Sequence, residues 1–208
     1  ESSTFSLSSK SAKPIIFIVT HPRSLSTILI RTLMNNPQSI AFFEPFVRFY
    51  FYSVGVQLEN YPIKSKEDFL RSIEAKILQA EKENKFLIIK DMAHIVKNYF
   101  QDVVSKIAES RPIKFIYLVR HPKAAYPSMV SKLKADRQSS EKNINMSKAI
   151  SMHKHLWEMY EMQKGKIVVT EDFQEEPNRV IKELYEYIGM EFKEEYMKFK
   201  PLTEKEVH

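Results

Sequence analysis

Arg23 carries the one full charge in the turn Thr20-His-Pro-Arg-Ser-Leu-Ser-Thr27, and Ser24, Ser26 and Thr27 crowd three hydroxyls around it. A guanidinium presents its donors in a fixed fork that matches phosphate or sulfate, and hydroxyls add further donors. A plain helix N-cap accounts for one such hydroxyl, but not for an arginine and three hydroxyls in a single turn. A second cationic turn follows at Arg120-His-Pro122, with Ser128 two helical turns farther on. An arginine leaving a buried strand end is costly unless it meets an anion or an acid. Here Glu171 or Asp172 is the acid that would make it a plain structural ion pair. Two cationic turns in one sheet point to a ligand with two separate anionic groups.

For those turns to converge, they must leave neighbouring strands at one edge of a sheet. Residues 14–20 form a continuous β-branched and aromatic run, the pattern of a strand buried on both faces. The segments 86–90, 113–119 and 166–170 repeat it. Between them, residues 26–35, 66–84, 99–110, 122–133, 147–163 and 178–187 read as helices, with Asn36-Pro37 and Gly189 as stops. Buried short strands alternating with helices predict an α/β protein, a three-layer sandwich around a central, mostly parallel sheet. Residues 1–13 read as a disordered lead-in to a single domain over 14–208, and 137–145 as a polar surface loop.

Composition removes many alternatives. There is no Cys, which excludes disulfides, Cys-ligated zinc, iron–sulfur clusters and thiol catalysis, and favours a reducing compartment such as the cytoplasm. The three glycines, Gly55, Gly165 and Gly189, lie far apart, so neither a GxGxxG dinucleotide turn nor a GxxxxGK[ST] loop can form. No His/Asp cluster has metal-ligand spacing, so no metal is expected; His153 and His155 fall on different faces of one helix. The net charge of +6 favours an anionic ligand, though a Lys-rich solvated surface explains it equally well. Neither an RNA-binding motif nor a zinc finger is present, which argues against a nucleic-acid partner. No apolar run reaches the roughly 20 residues of a membrane span. The chain does not begin with Met, so a removed leader or anchor stays open.

The residues resemble the sulfotransferase family. Thr20-His-Pro-Arg-Ser-Leu-Ser-Thr27 is similar to that family's 5′-phosphosulfate loop, T-x-P-K-S-G-T-T in cytosolic members and beginning R-S-G in carbohydrate sulfotransferases. Tyr117-Leu-Val-Arg-His-Pro-Lys-Ala-Ala-Tyr-Pro-Ser128 is similar to the 3′-phosphate motif R-x-P-x(5)-S. Phe43-Glu-Pro-Phe46 resembles an E-P turn of carbohydrate sulfotransferases, and Ile167-Val-Val-Thr-Glu-Asp-Phe173 their V-V-x-Y/T-E-D-L segment. The resemblance implies a P-loop-NTPase-like fold and transfer of a sulfuryl group from 3′-phosphoadenosine 5′-phosphosulfate (PAPS), leaving adenosine 3′,5′-bisphosphate (PAP), without a metal. It places Arg23, Ser24, Leu25, Ser26 and Thr27 on the 5′-phosphosulfate and Arg120 and Ser128 on the 3′-phosphate. Leu25 stands where the family has Gly, and no R-K-G-x-x-G closing segment follows near the C-terminus.

Such transfer depends on positioning and charge stabilisation, for which Arg23 is the candidate, and on a base that takes the acceptor's proton. By resemblance Glu44 is the first candidate base; otherwise it is a surface turn residue or a partner for Arg48. His94, in Lys90-Asp-Met-Ala-His94, is the second, set against a K-T-H segment of cytosolic members with shorter spacing; otherwise it is a satisfied structural group. His21 and His121 flank the two turns as further potential phosphate donors. The aromatic stretch 42–52 reads as core plus a homodimer or lid contact, or as the lining of an acceptor pocket. Modest size favours a small-molecule acceptor. The rival readings are a Mg-nucleotide-dependent kinase-like phosphotransferase, which lacks a Lys in the loop, and a non-catalytic anion-binding protein of the same fold.

Overall fold

A computed structural model describes residues 13–56, 63, 65–135 and 145–198. The lead-in expected over 1–13 and the polar loop expected over 137–145 lie, apart from Lys13 and Asn145, outside the described residues.

Five strands form one sheet: β1 (Ile15–Thr20), β2 (Ser39–Phe43), β3 (Phe86–Met92), β4 (Ile113–Val119) and β5 (Lys166–Val169). Their order is β2-β3-β1-β4-β5, and every pairing is parallel. The expected sheet is therefore present, wholly parallel, with one more strand than the sequence reading assigned. Every residue of β1 is buried, as a central strand covered on both faces requires.

The pleat of β1 divides its side chains between two cores. Ile15, Phe17 and Val19 pack with Phe46 of α2 (Pro45–Ser53), Phe69 and Ile73 of α3 (Lys66–Lys82), Val96 of α4 (Ala93–Tyr99) and Leu156 of α7 (Met146–Met162). Ile16 and Ile18 face the other way, toward Leu29 and Leu33 of α1 (Ser26–Met34) and Ile181, Leu184 and Tyr185 of α9 (Pro177–Ile188). These are the three layers predicted. The remaining helical pieces are a π turn (Phe100–Val104), α5 (Ser105–Ser110), α6 (Pro122–Ala135), α8 (Thr170–Glu175) and a 3₁₀ turn (Glu194–Met197).

The aromatic stretch 42–52 is divided by Pro45, which opens α2 at a position where its missing N–H has no helical partner to lose. Phe46 and Phe49 enter the core against Phe69 and Tyr99, while Phe51 and Tyr52 are exposed. Gly165 lets the chain cross β4 closely on its way into β5: a Cβ there would lie 2.3 Å from the Phe115 carbonyl oxygen. Among the described residues no helix is long and apolar enough to cross a membrane.

Candidate active site

Because the sheet is parallel, all five carboxyl ends open on one edge, with β1 at the centre. The chain leaves β1 through two residues in the left-handed region, Arg23 at φ 66° and Leu25 at φ 62°. A non-glycine residue there costs of order 1–3 kcal/mol, and such strain gathers at ligand sites. Leu25 thus takes the backbone conformation that a glycine in its place would adopt freely. It is also the N-cap of α1, with no side-chain cap and no acidic residue in the first turn. The positive end of α1 is left uncapped by the hydroxyls around it. That sets aside the plain N-cap explanation of Ser24, Ser26 and Thr27.

Those hydroxyls divide in their placement. Ser24 is fully buried: its Oγ bonds to Thr20 Oγ1, and its carbonyl accepts from Thr170 Oγ1 at 2.8 Å. It ties the turn to β1 and to the end of β5. Ser26 is buried at the start of α1 and Thr27 is exposed.

Arg23 is exposed and reaches toward the neighbouring strand end, where its Nε donates to Ser128 Oγ at 2.9 Å. Arg120 comes the other way, its Nη1 donating to the Arg23 carbonyl at 2.9 Å. The two turns singled out in the sequence are thus interlocked, and both guanidinium groups donate to neutral oxygens in these contacts. Glu171 does not pair with Arg120; its Oε1 accepts the backbone N–H of His121 at 3.1 Å. Neither Glu171 nor Asp172 forms an ion pair with Arg120 among the described residues, and the buried Nε of Arg120 has no partner.

His21 is not a phosphate donor. Its ring is buried, its Nε2 accepts from the Arg120 N–H at 3.0 Å, and its Nδ1 donates to the Pro22 carbonyl at 2.9 Å. Burial, with His153 beside it, pulls its pKa from 6.5 down to about 4. His121 is exposed, its Nδ1 accepting the N–H of Lys123 at 3.2 Å.

On the other side of β1, Glu44 follows β2 with φ 48°. Its backbone N–H donates to the Lys90 carbonyl at 2.8 Å, and its carboxylate accepts from the buried Lys90 ammonium. Glu44 is therefore a partly exposed turn residue whose carboxylate is bound to Lys90, and its carbonyl accepts the Arg48 N–H at 3.0 Å. Asp91, fully buried, fixes this corner: its Oδ2 accepts from Phe46 N at 2.7 Å and its Oδ1 from Met92 N at 2.8 Å. Burial raises its pKa to about 7, aided by the nearby Glu44 charge and opposed by those two N–H groups and by Lys90. His94 lies half-buried in the first turn of α4. Among the described residues no group of His, Asp and Glu could hold a metal ion.

The sequence reading singles out neither Asp91 nor Thr170, and it weighs His153 only as half of a metal pair with His155. Asp91 carries a signal, an acid ending an apolar strand run, whereas nothing in the sequence marks His153 for its place beside Arg120.

An open parallel sheet with a cationic turn at the carboxyl end of its central strand, leading into a helix N-terminus, is the architecture of P-loop-like transferases. Residues 13–200 match the model of the sulfotransferase domain, and the chain belongs to that family. Solved structures agree in fold. The sulfotransferase domain of the Synechococcus PCC 7002 olefin synthase aligns with a TM-score of 0.60 at 20% identity, over 90% of this chain and 77% of that one. A mouse sulfotransferase complexed with PAP aligns at 0.53 and 17% identity, over 90% of this chain and 62% of its own. A Janibacter sugar kinase aligns at 0.51 and 14% identity, over 86% of this chain and 95% of its own. Comparison with curated protein sequences gives no match.

Proposed function

We propose that this protein transfers a sulfuryl group from PAPS to a hydroxyl or amine of a small-molecule acceptor. The observation that carries this reading is the interlock of two guanidinium turns from adjacent strand ends: Arg23 to Ser128, and Arg120 to the Arg23 carbonyl. The residues fit such a donor. The partnerless Nε of Arg120 and the uncapped start of α1 are donors awaiting anions at two separate places.

Arg120 and Ser128 would hold the 3′-phosphate. Arg23, Ser26, Thr27 and the backbone N–H groups from Leu25 onward would hold the 5′-phosphosulfate, with Ser24 as the buried tie that shapes the loop. When bound, the donor supplies an activated sulfuryl group on a good leaving phosphate. Arg23, exposed and held by a neutral hydroxyl that an anion would replace, counters charge as it builds on that phosphate. Glu44 is the base: Lys90 holds Oε1, which leaves Oε2 to take the acceptor's proton. The β2–β3 corner thus receives the acceptor, on the side of β1 away from Arg120. His94, the second residue of α4 just after β3, is the alternative base.

Thermal unfolding with PAP, 5′-AMP, and ATP with and without Mg²⁺ tests the reading. At 100 times its dissociation constant a ligand adds about 2.7 kcal/mol. PAP alone should raise Tm, without Mg²⁺, and Arg120→Ala and Ser128→Ala should each reduce that shift. A shift with Mg-ATP alone would establish the kinase reading instead, and equal PAP shifts in parent and variants would remove the 3′-phosphate assignment.

A further inference from the structure

The sheet ladder ends one residue short of Arg120. The last pairs of β4 are Leu118 with Thr20 of β1 and Val119 with Val169 of β5. The N–H and C=O of Arg120 therefore leave the sheet without strand partners, in a place where unpaired backbone groups are costly. Two imidazoles replace the missing ladder. His21 Nε2 accepts the Arg120 N–H at 3.0 Å, and His153 Nε2 lies 2.6 Å from the Arg120 carbonyl, to which it donates. The rings come from different elements, one from the turn after β1 and one from α7. They lie against each other with centroids 4.0 Å apart and planes tilted by 36°.

His21 is anchored on its far nitrogen, Nδ1 donating to the Pro22 carbonyl. His153 faces two carbonyls, that of Arg120 at Nε2 and that of Ala149 at Nδ1, 2.8 Å away, and a neutral ring donates to one of them, a protonated ring to both. Accepting from Arg120 requires an unprotonated Nε2 on His21, and its depressed pKa keeps the ring neutral across the neutral range. His21 is thus an acceptor and His153 a donor, matched to the two ends of one residue. Serine or threonine could serve either end but could not span from α7 or stack.

We propose that His21 and His153 are a positioning pair for Arg120, one holding its backbone N–H and the other its C=O so that its guanidinium is aimed at the donor's 3′-phosphate. This rests on the donor reading above. Neither histidine touches the donor; both act through Arg120. The consequence is selectivity. Loosening the grip should weaken recognition of the 3′-phosphate and leave the 5′-phosphate, held by the β1 turn, as it was.

The test is calorimetric binding of PAP and of 5′-AMP to the full chain and four variants. His21→Phe and His153→Phe keep a ring in the stack but lose its hydrogen bonds; His21→Gln and His153→Gln keep a polar atom near Nε2. The Phe variants should bind PAP about tenfold or more weakly, as expected for a misaimed charged hydrogen bond, with 5′-AMP affinity within about twofold of the parent. The Gln variants should recover most of the PAP affinity. An unchanged PAP-to-AMP ratio in His153→Phe, or equal weakening of both ligands, would overturn the proposal. His153 is only half-buried, so this variant decides the matter even where His21→Phe does not fold. A parent that does not prefer PAP over AMP would instead overturn the donor reading, and the pair's role with it.

Discussion

Asp91 and His21 are both fully buried, and folding moves their pKa values so that stability responds to pH in opposite senses. Folded His21 titrates at about 4 against an ordinary 6.5, so between those values the unfolded chain holds a proton that the folded one does not. Its contribution is present above pH 6.5 and is lost as pH falls toward 4. Folded Asp91 keeps its proton up to about pH 7, whereas the unfolded carboxyl gives it up near 3.8. Its contribution is therefore largest in acid and is lost as pH rises through that window. From about pH 5 to about pH 6.5, linkage gives each group about 2 kcal/mol with opposite sign, so the two oppose each other in the parent. His21→Gln should unmask the Asp91 slope, and Asp91→Asn the His21 slope. Urea unfolding at several pH values across this range measures it, with each variant read against the parent so that the other titrating groups drop out. His21→Gln should lose about 2 kcal/mol relative to the parent as pH rises, and Asp91→Asn should gain about as much. Profiles that run parallel to the parent would refute the reasoning, because burial would then not be governing either group.

Glu44→Gln leaves the buried Lys90 ammonium without its carboxylate. With Glu44 itself about one-third exposed, the expected loss is about 1–3 kcal/mol in denaturant unfolding. Turnover should fall about 10²–10⁴-fold with little change in PAP affinity, and adding Lys90→Met should restore stability but not turnover. At Leu25, whose φ is 62°, Gly should be more stable than Ala by about 1 kcal/mol in the same assay, the reverse of the usual order.

The central strands are legible because each is a continuous β-branched run buried on both faces. The edge strand β2 is not, since its Ser39–Phe43 run flows into the equally apolar Pro45–Ser53 helix and only Pro45 marks the join. The start of α4 is hidden in the same way: Met92 caps it without a side-chain bond, so no polar residue announces it, and the sequence reading begins that helix at residue 99. In the site, Arg23, Arg120 and Ser128 are legible because hydroxyls and guanidinium groups stand out at strand ends. Asp91 and His153 are not, because their roles arise from pairings 45 and 33 residues away that no local spacing encodes.

The position of β1 at the middle of the sheet also sets an order of assembly. Its neighbours β3 and β4 lie far along the chain, with Ile16 paired to Ile88 and Ile15 to Ile113. During synthesis, roughly 70 residues must be added between β1 and its first partner, about 4–14 seconds at ordinary elongation rates of about 5–20 residues per second. Through that interval the segment Ile15–Thr20, apolar on both faces, waits for β3 and β4, the strands it pairs with among the described residues. The strand that organises the site is therefore the one the nascent chain must keep from other molecules longest.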